Sequence, residues 1–364
     1  MAGMTVPGGY RPFAMPGRVK AGLALVVIYA VYAAAQLDFS WARFHSGIGH
    51  AATFLSRMFP PNFEKPDTLW KGIGESLEIA VLASLLGILL SLPIGMLKAG
   101  LALVVIYAVY AAAQLDFSWA RFHSGIGHAA TFLSRMFPPN FEKPDTLWKG
   151  IGESLEIAVL ASLLGILLSL PIGMLGARNL MPAWISWPAR ALVALCRALH
   201  PVIVAILFVK AVGFGALAGI LALMVASVGF IGKLFTEAIE EISLKQVEAV
   251  RATGASFANV VLFGVLPQVF ARFVGFATYQ FDSNLRNSTM VGIVGAGGVG
   301  GTLFSAFQRF DYDFVAAILL TLIAIIMLGE ILAGFVRAVF LDNLGFDRIL
   351  RSRRTGARGP DPAS

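Results

Sequence analysis

The chain has 364 residues, of which 57% are hydrophobic and only 13% are charged, and its mean hydropathy is +0.78. Soluble domains carry about 25% charged residues, so this composition excludes an ordinary soluble protein and predicts a polytopic membrane protein. The net charge is +7 at pH 7, and arginines crowd the residues behind the last apolar run. We interpret them as a cytoplasmic tail rather than a nucleic-acid site, because Lys and Arg accumulate on the cytoplasmic side. Cys196 is the single cysteine, which excludes an intrachain disulfide and a thiolate metal cluster.

Two copies of one sequence occupy most of the N-terminal half. Residues 20–97 and 98–175 are identical at every position, an offset of 78 residues. Each copy holds two apolar runs joined by a polar loop, which predicts a helical hairpin. Perfect identity indicates a recent in-frame duplication or an error in assembling the sequence, because repeats in transporters are normally weak structural echoes. We expect the first copy to be supernumerary, since the second runs directly into the rest of the chain.

Apolar runs that can cross a hydrocarbon core of about 30 Å recur along the chain. The eight predicted spans are residues 21–36, 69–97, 99–114, 147–175, 184–212, 216–235, 265–281 and 314–340. The span at 184–212 is interrupted by Pro201. Because a hairpin contributes an even number of spans, its duplication leaves every later segment on its original side of the membrane.

Basic residues predict the orientation of these spans. Arg11, Arg18 and Lys20 place the N-terminus in the cytoplasm, and alternation over eight spans brings the C-terminus to the same side. No cleavable signal peptide is evident. The predicted organisation is a cytoplasmic tail at 1–19, hairpin copies at 20–97 and 98–175, a core of spans at 176–340 and a basic cytoplasmic tail at 341–364.

Residues 237–267 form a polar segment between strongly apolar runs. Ser243 with Gln246 fits a capping box that starts a short helix, and Gly254 can adopt the left-handed conformation that ends it. Ser256 then begins a second helix in a new direction. The pattern predicts a helix followed by a turn, exposed as a docking loop on the cytoplasmic side.

This segment resembles a known coupling loop. Glu248 and Ala249 are followed by Gly254, six residues after the glutamate, and by Leu266 and Pro267, with the proline thirteen residues beyond the glycine. The arrangement is similar to the loop with which permease subunits of binding-protein-dependent ABC importers insert a coupling helix into their ATPase partner. Two residues depart from the family pattern: Val250 stands where alanine is usual, and Gly264 where isoleucine is usual. Residues 58–63, 237–240, 266–269 and 287–300 resemble the phosphonate-type branch of these permeases.

The resemblance implies an all-α type I importer permease in the bacterial inner membrane. It implies two ATP-binding subunits that hold ATP and Mg²⁺, an extracytoplasmic solute-binding protein, a second permease copy in a homodimer and surrounding lipid, without a cofactor in this chain. The substrate implied is phosphonate or a related small phosphorus-containing anion. Glu248 is then expected to contact the ATPase and Gly254 to permit the turn, with Ala249, Leu266 and Pro267 completing the coupling site.

A second polar group interrupts the apolar sequence near the end of a span. Its members are Asp282, Asn284, Arg286, Asn287, Ser288 and Thr289. A charge at membrane depth costs about 2.5–3.5 kcal/mol on insertion scales, so such groups tend to face a cavity or a partner. One interpretation is a substrate pathway in which Arg286 meets an anion. The alternative is an ion pair between Asp282 and Arg286 at the outer interface, since they are four residues apart on a helix.

Other motifs carry less weight. Residues 295–300 satisfy the GxGxxG fingerprint, but no alternation of strands and helices surrounds them, so we expect close helix packing rather than a nucleotide site. His45 and His50, repeated as His123 and His128, lie on different helix faces and lack accompanying carboxylates, and no metal site is predicted. No cluster of catalytic residues indicates an enzyme. An ion-gradient-driven carrier or channel remains the rival interpretation, although it would not need a docking loop.

Overall fold

A computed structural model describes residues 17–37, 45–47, 49–50, 52–53, 56, 66–91 and 119–343. All regular secondary structure in these ranges is helical, which confirms the predicted class. The chain divides into two compact units, one formed by Met1–Ala51 with Pro139–Ser364 and the other by Ala52–Pro138. The boundary between the two sequence copies falls inside the second unit, and the predicted domain division stays a prediction.

Twelve helices of the described ranges organise the fold. They are α1 (Gly17–Gln36), α2 (Pro66–Ser91), α3 (Trp119–Met136), α4 (Pro144–Gly176), α5 (Ala183–Ala198), α6 (Pro201–Val212), α7 (Ala216–Glu240), α8 (Leu244–Ala252), α9 (Phe257–Asn259), α10 (Leu266–Ile293), α11 (Val299–Gln308) and α12 (Tyr312–Asn343). A π-helical turn, Val260–Val265, joins α9 to α10.

Four helical segments of the described chain are long and apolar enough to cross a membrane: α4, α7, the continuous run Phe257–Ile293, and Tyr312–Ile331 of α12. They match the spans predicted at 147–175, 216–235, 265–281 and 314–340. The interruption predicted at Pro201 is a 91° bend between α5 and α6, which together form a fifth candidate span. In the first copy, α1 has a shorter apolar part, Ala24–Gln36, and α2 overlaps the prediction at 69–97. Residues 99–114 lie outside the described residues.

The core is built around α4 and α7, which pack along their length. Small residues allow this approach: a Cβ added at Gly173 would lie 2.8 Å from the ring of Phe235, and one added at Gly176 would lie 2.9 Å from the hydroxyl of Thr236. Helices in a membrane associate through such close packing because lipid supplies no hydrophobic drive between them. Ile157 of α4 and Leu223 of α7 are fully buried in this seam.

The core draws on both sequence copies. Helix α1, from the first copy, packs against α4, from the second. Ala30 and Ala33 of α1 are buried in the same cluster as Ile157 of α4 and Ala205 of α6. Residues 20–36 of this core helix have the same sequence as residues 98–114.

Candidate functional site

A short helix, α8, lies between the spans α7 and α10, where the coupling helix is predicted, and its coupling role stays a prediction. Gly254 follows it with a φ of +75°, which confirms the predicted left-handed glycine. Ser243 is the N-cap residue, but its side chain makes no capping bond, so the predicted capping box with Gln246 is wrong. Instead, the backbone of Ser243 bonds to Gln268 of α10, because the tertiary fold brings that amide beside it.

One face of α8 is buried and the opposite face is open. Val247 is 2% exposed and belongs to a second cluster with Phe235, Val260 and Val269, directly beneath α8. Helical periodicity then leaves Glu248 and Ala249 exposed. The other predicted coupling residues lie at the start of α10, where Leu266 is half-buried and Pro267 is exposed. The exposed side of α8 therefore carries the Glu248 carboxylate, while the opposite side packs on an apolar cluster.

The two departures from the family pattern meet in space. Gly264 is buried, and a Cβ at this position would lie 3.3 Å from Cα of Val247 and 3.7 Å from Cγ2 of Val250. A larger residue at 264 would have to displace α8 outward. The valine on α8 and the glycine on the π-helical turn thus fit each other, which the sequence pattern by itself did not reveal.

A π-helical turn next to Pro267 leads into α10 close to α8. Pro267 has no N–H group, so the helix cannot continue with its usual hydrogen bonds, and the preceding turn is π-helical. Gln268 follows directly. Its Nε2 donates to Gly264 O at 2.6 Å and to Ser243 O at 3.4 Å, while its Oε1 accepts from Ser243 N at 3.0 Å.

Charged residues secure the end of α7 that leads into α8. Arg272 of α10 pairs with Glu241, and Arg190 of α5 pairs with Glu240. Glu240 also accepts from the backbone N of Arg178 at 2.9 Å. The partners in the two ion pairs lie 50 residues apart in the chain for Arg190 with Glu240 and 31 for Arg272 with Glu241. Their pairing depends on which helices are neighbours, and no local pattern contains that information.

The polar residues of α10 divide between two faces. Asp282 and Arg286 form an ion pair of 2.7 Å, with 13% and 43% of their side chains exposed. Asn287 donates to Ser283 Oγ at 3.3 Å and is half-buried, as is Thr289. Ser288 is fully buried and donates to Leu285 O at 2.8 Å.

Asn284 lies on the opposite face, inside the subunit. It is fully buried, and its Nδ2 donates to Ser162 Oγ of α4 and Ser227 Oγ of α7, both at 2.9 Å. Gln280 donates to Asn284 Oδ1 at 2.9 Å and to Ser227 at 3.0 Å. These bonds join three spans, and they satisfy amide and hydroxyl groups that would otherwise be costly in an apolar interior. That this polar group of α10 lines a substrate pathway stays a prediction for all of its residues.

The glycine-rich stretch forms a tight connection between α10 and α11. Gly295, Gly297 and Gly298 all have positive φ, a conformation that strongly favours glycine. The turn is fastened by Val299 N, which donates to Ser154 Oγ of α4 at 2.8 Å. Its GxGxxG pattern thus lies in a helix connection packed against α4, not after a strand.

Comparison with known proteins places the chain. Residues 169–340 match the family described as the binding-protein-dependent transport system inner membrane component. The phosphite transport system permease protein PtxC of Stutzerimonas stutzeri is 38% identical over 218 residues, covering 60% of this chain and 79% of that protein. The chain belongs to this family. It is a membrane-embedded permease of the phosphonate type, which favours an ABC importer over an ion-gradient-driven carrier or channel.

Two further relatives are also named as permease proteins. The phosphate-import permease protein PhnE of Mycolicibacterium smegmatis is 41% identical over 208 residues, covering 57% of this chain but only 39% of that protein. The putative cryptic phosphonate transport system permease protein PhnE2 of Escherichia coli is 40% identical over 121 residues, covering 33% of this chain and 99% of that protein. Among solved structures, a chain of the inward-facing MetNI methionine ABC transporter matches with a TM-score of 0.48 and 26% identity, covering 54% of this chain and 99% of that one.

Proposed function

We propose that this permease forms the translocation path for phosphonate or a related small phosphorus-containing anion, driven by separate ATPase subunits. The observation that carries the proposal is α8. A nine-residue helix between two spans, buried through Val247 and exposing Glu248, is a surface built to receive force from a partner. Relatives named for phosphite and phosphonate transport supply the substrate class.

The proposed assembly has a homodimer of this chain, two ATP-binding subunits that hold ATP and Mg²⁺, and an extracytoplasmic solute-binding protein. The chain has the type I permease fold and eight spans, with both termini in the cytoplasm. Alternating orientation then places α8 on the cytoplasmic side, where the ATPase subunits are. The chain itself catalyses no reaction.

Within this path, we assign the anion contact to the face of α10 that carries Asp282 and Arg286. Arg286 is the more exposed partner, and its guanidinium has further N–H groups beyond the one facing Asp282. Those groups can bind an oxyanion with charge-assisted hydrogen bonds. Asn284 instead holds α4, α7 and α10 together, since its side chain is enclosed among them.

Replacing Gly254 with valine tests the coupling role. A β-branched residue is strongly disfavoured at a φ of +75°, so the turn after α8 must change direction. We expect Gly254→Val to insert normally in the membrane and to lose most uptake of phosphite while the ATPase subunits still hydrolyse ATP. Uptake is measured in proteoliposomes with the ATPase and the solute-binding protein. Normal uptake by a well-inserted Gly254→Val protein contradicts the proposal.

A further inference from the structure

Gln268 is the one side chain of the described residues that joins three parts of the coupling region at once. Its amide group bonds to both backbone groups of Ser243, the residue before α8. It also donates to Gly264 O in the π-helical turn. The residue itself lies in the first turn of α10. A displacement of the N-terminal end of α8 therefore reaches α10 through a short, directional connection.

The same helix carries the polar face assigned to the anion. Arg286 is eighteen residues beyond Gln268 on α10, which has no break between them. At 1.5 Å per residue this separates the two side chains by about 27 Å along one rigid element. A shift of the Gln268 end is thus transmitted along α10 to Arg286 without an intervening hinge.

Two other kinds of contact join α10 to this region: an exposed ion pair and apolar packing. The ion pair between Arg272 and Glu241 joins α10 to the end of α7, but its side chains are 52% and 65% exposed, and exposed pairs contribute little. The apolar contacts beneath α8, where Val247 packs in a cluster with Val260 and Val269, resist separation of the helices but are non-directional. Among the described residues, the hydrogen bonds of Gln268 to Ser243 and Gly264 add the direction that these apolar contacts lack.

We propose that Gln268 is a positioning residue that transmits the movement of α8 to α10. This inference rests on the proposed function, because it assumes that the ATPase subunits move α8. By holding Ser243 and Gly264 together, the amide makes α8 and α10 move as one body in both directions of the cycle. Without it, α8 follows the ATPase while α10 lags behind.

The test compares Gln268→Met, which keeps the length and removes all three bonds, with the parent chain. We expect ATP hydrolysis to continue and the number of phosphite ions imported per ATP to fall about tenfold, which corresponds to about 1.4 kcal/mol of coupling. Gln308→Met is the matched control, because Gln308 is exposed at the end of α11 and takes no part in the coupling region. Gln268→Glu keeps the acceptor for Ser243 N and loses both donated bonds, so it should fall between parent and Gln268→Met.

A distance measurement gives a readout that a loss of stability would not produce. Spin labels at Lys245→Cys on α8 and Met290→Cys on α10, in a Cys196→Ala background, report the separation of the two helices. Labelled chains are diluted into unlabelled ones, so that a homodimer carries one labelled subunit. We then expect one narrow distance in the parent with and without ATP, and a broadened, ATP-dependent distance in Gln268→Met. If Gln268→Met does not assemble, Gln268→Glu carries the same test.

Two results would overturn the inference: an unchanged ion-to-ATP ratio in the glutamine variants, or a label distance that stays narrow in them. Failure of the proposed function looks different. In that case the parent complex itself shows no ATP-dependent uptake, whereas the label distances in the permease alone still report whether Gln268 holds α8 to α10.

Discussion

At the scale of single residues, the face of α10 on which a polar side chain lies determines what it can do. Asn284 and Arg286 are two positions apart, yet one is enclosed by three spans and the other is 43% exposed. A helix turns by 100° per residue, so neighbours two apart point in widely different directions. The sequence placed both in one polar group because it shows positions along the chain, whereas burial depends on how α10 is rotated against α4 and α7.

The ion pair on α10 offers a way to separate an anion contact from a purely structural pair. Arg286→Met leaves Asp282 charged, mostly buried and without its partner, so we expect both protein stability and uptake to fall. Adding Asp282→Asn removes the second charge and should restore the thermal unfolding midpoint in detergent. Uptake of phosphite should stay at least about tenfold low, because the cationic donor is still missing. Recovery of uptake in the double variant would assign the pair to structure alone.

At the scale of elements, α8 packs against the π-helical turn Val260–Val265. The order of elements here followed from sequence: a short polar helix, a left-handed glycine and a proline-initiated span are all encoded by local chemistry. Their mutual packing was not, because Ser243 and Gln268 are 25 residues apart. The capping box failed for the same reason, since a tertiary partner took over the backbone groups of Ser243.

The fit between Val250 and Gly264 predicts a compensating pair. Gly264→Ile restores the residue usual in the family, but it overpacks the contact with Val247 and Val250, and we expect it to cost about 1–3 kcal/mol of stability and to reduce coupled uptake. Val250→Ala by itself should be mild. The double variant should recover much of the loss, because the smaller alanine makes room. Thermal unfolding and uptake of all four proteins form the double-mutant cycle, and simple additivity would refute the compensation.

At the scale of the whole molecule, the described core contains one helix from each copy of the duplicated hairpin. The described core takes α1 from one copy and α4 from the other. Because residues 20–97 and 98–175 are identical, deletion of either copy produces the same chain of 286 residues, 364 less 78. That chain keeps the sequences of both α1 and α4.

We therefore expect the 286-residue chain to insert, bind the ATPase subunits and import phosphite at a rate close to that of the full chain. The physical reason is topological: removing two spans leaves the coupling segment on its original side. Uptake in proteoliposomes checks the rate, and an intact mass of the full protein against 38.8 kDa checks whether the duplication is present in cells. Loss of uptake by a well-inserted short chain would show that the extra hairpin has a role of its own.

The sequence by itself determined the membrane class, the positions of the main spans, the short helix α8 with the glycine that follows it, and the family. These features are local, since hydropathy is read over about twenty residues and the coupling motif over twenty more. Only the tertiary structure decided that Gln268 holds α8 to α10, that Val250 and Gly264 fit each other, and that Asn284 belongs to the subunit's interior. Each of these depends on the rotation and distance of helices far apart in the chain, and those are set by packing among spans rather than by the residues next to them.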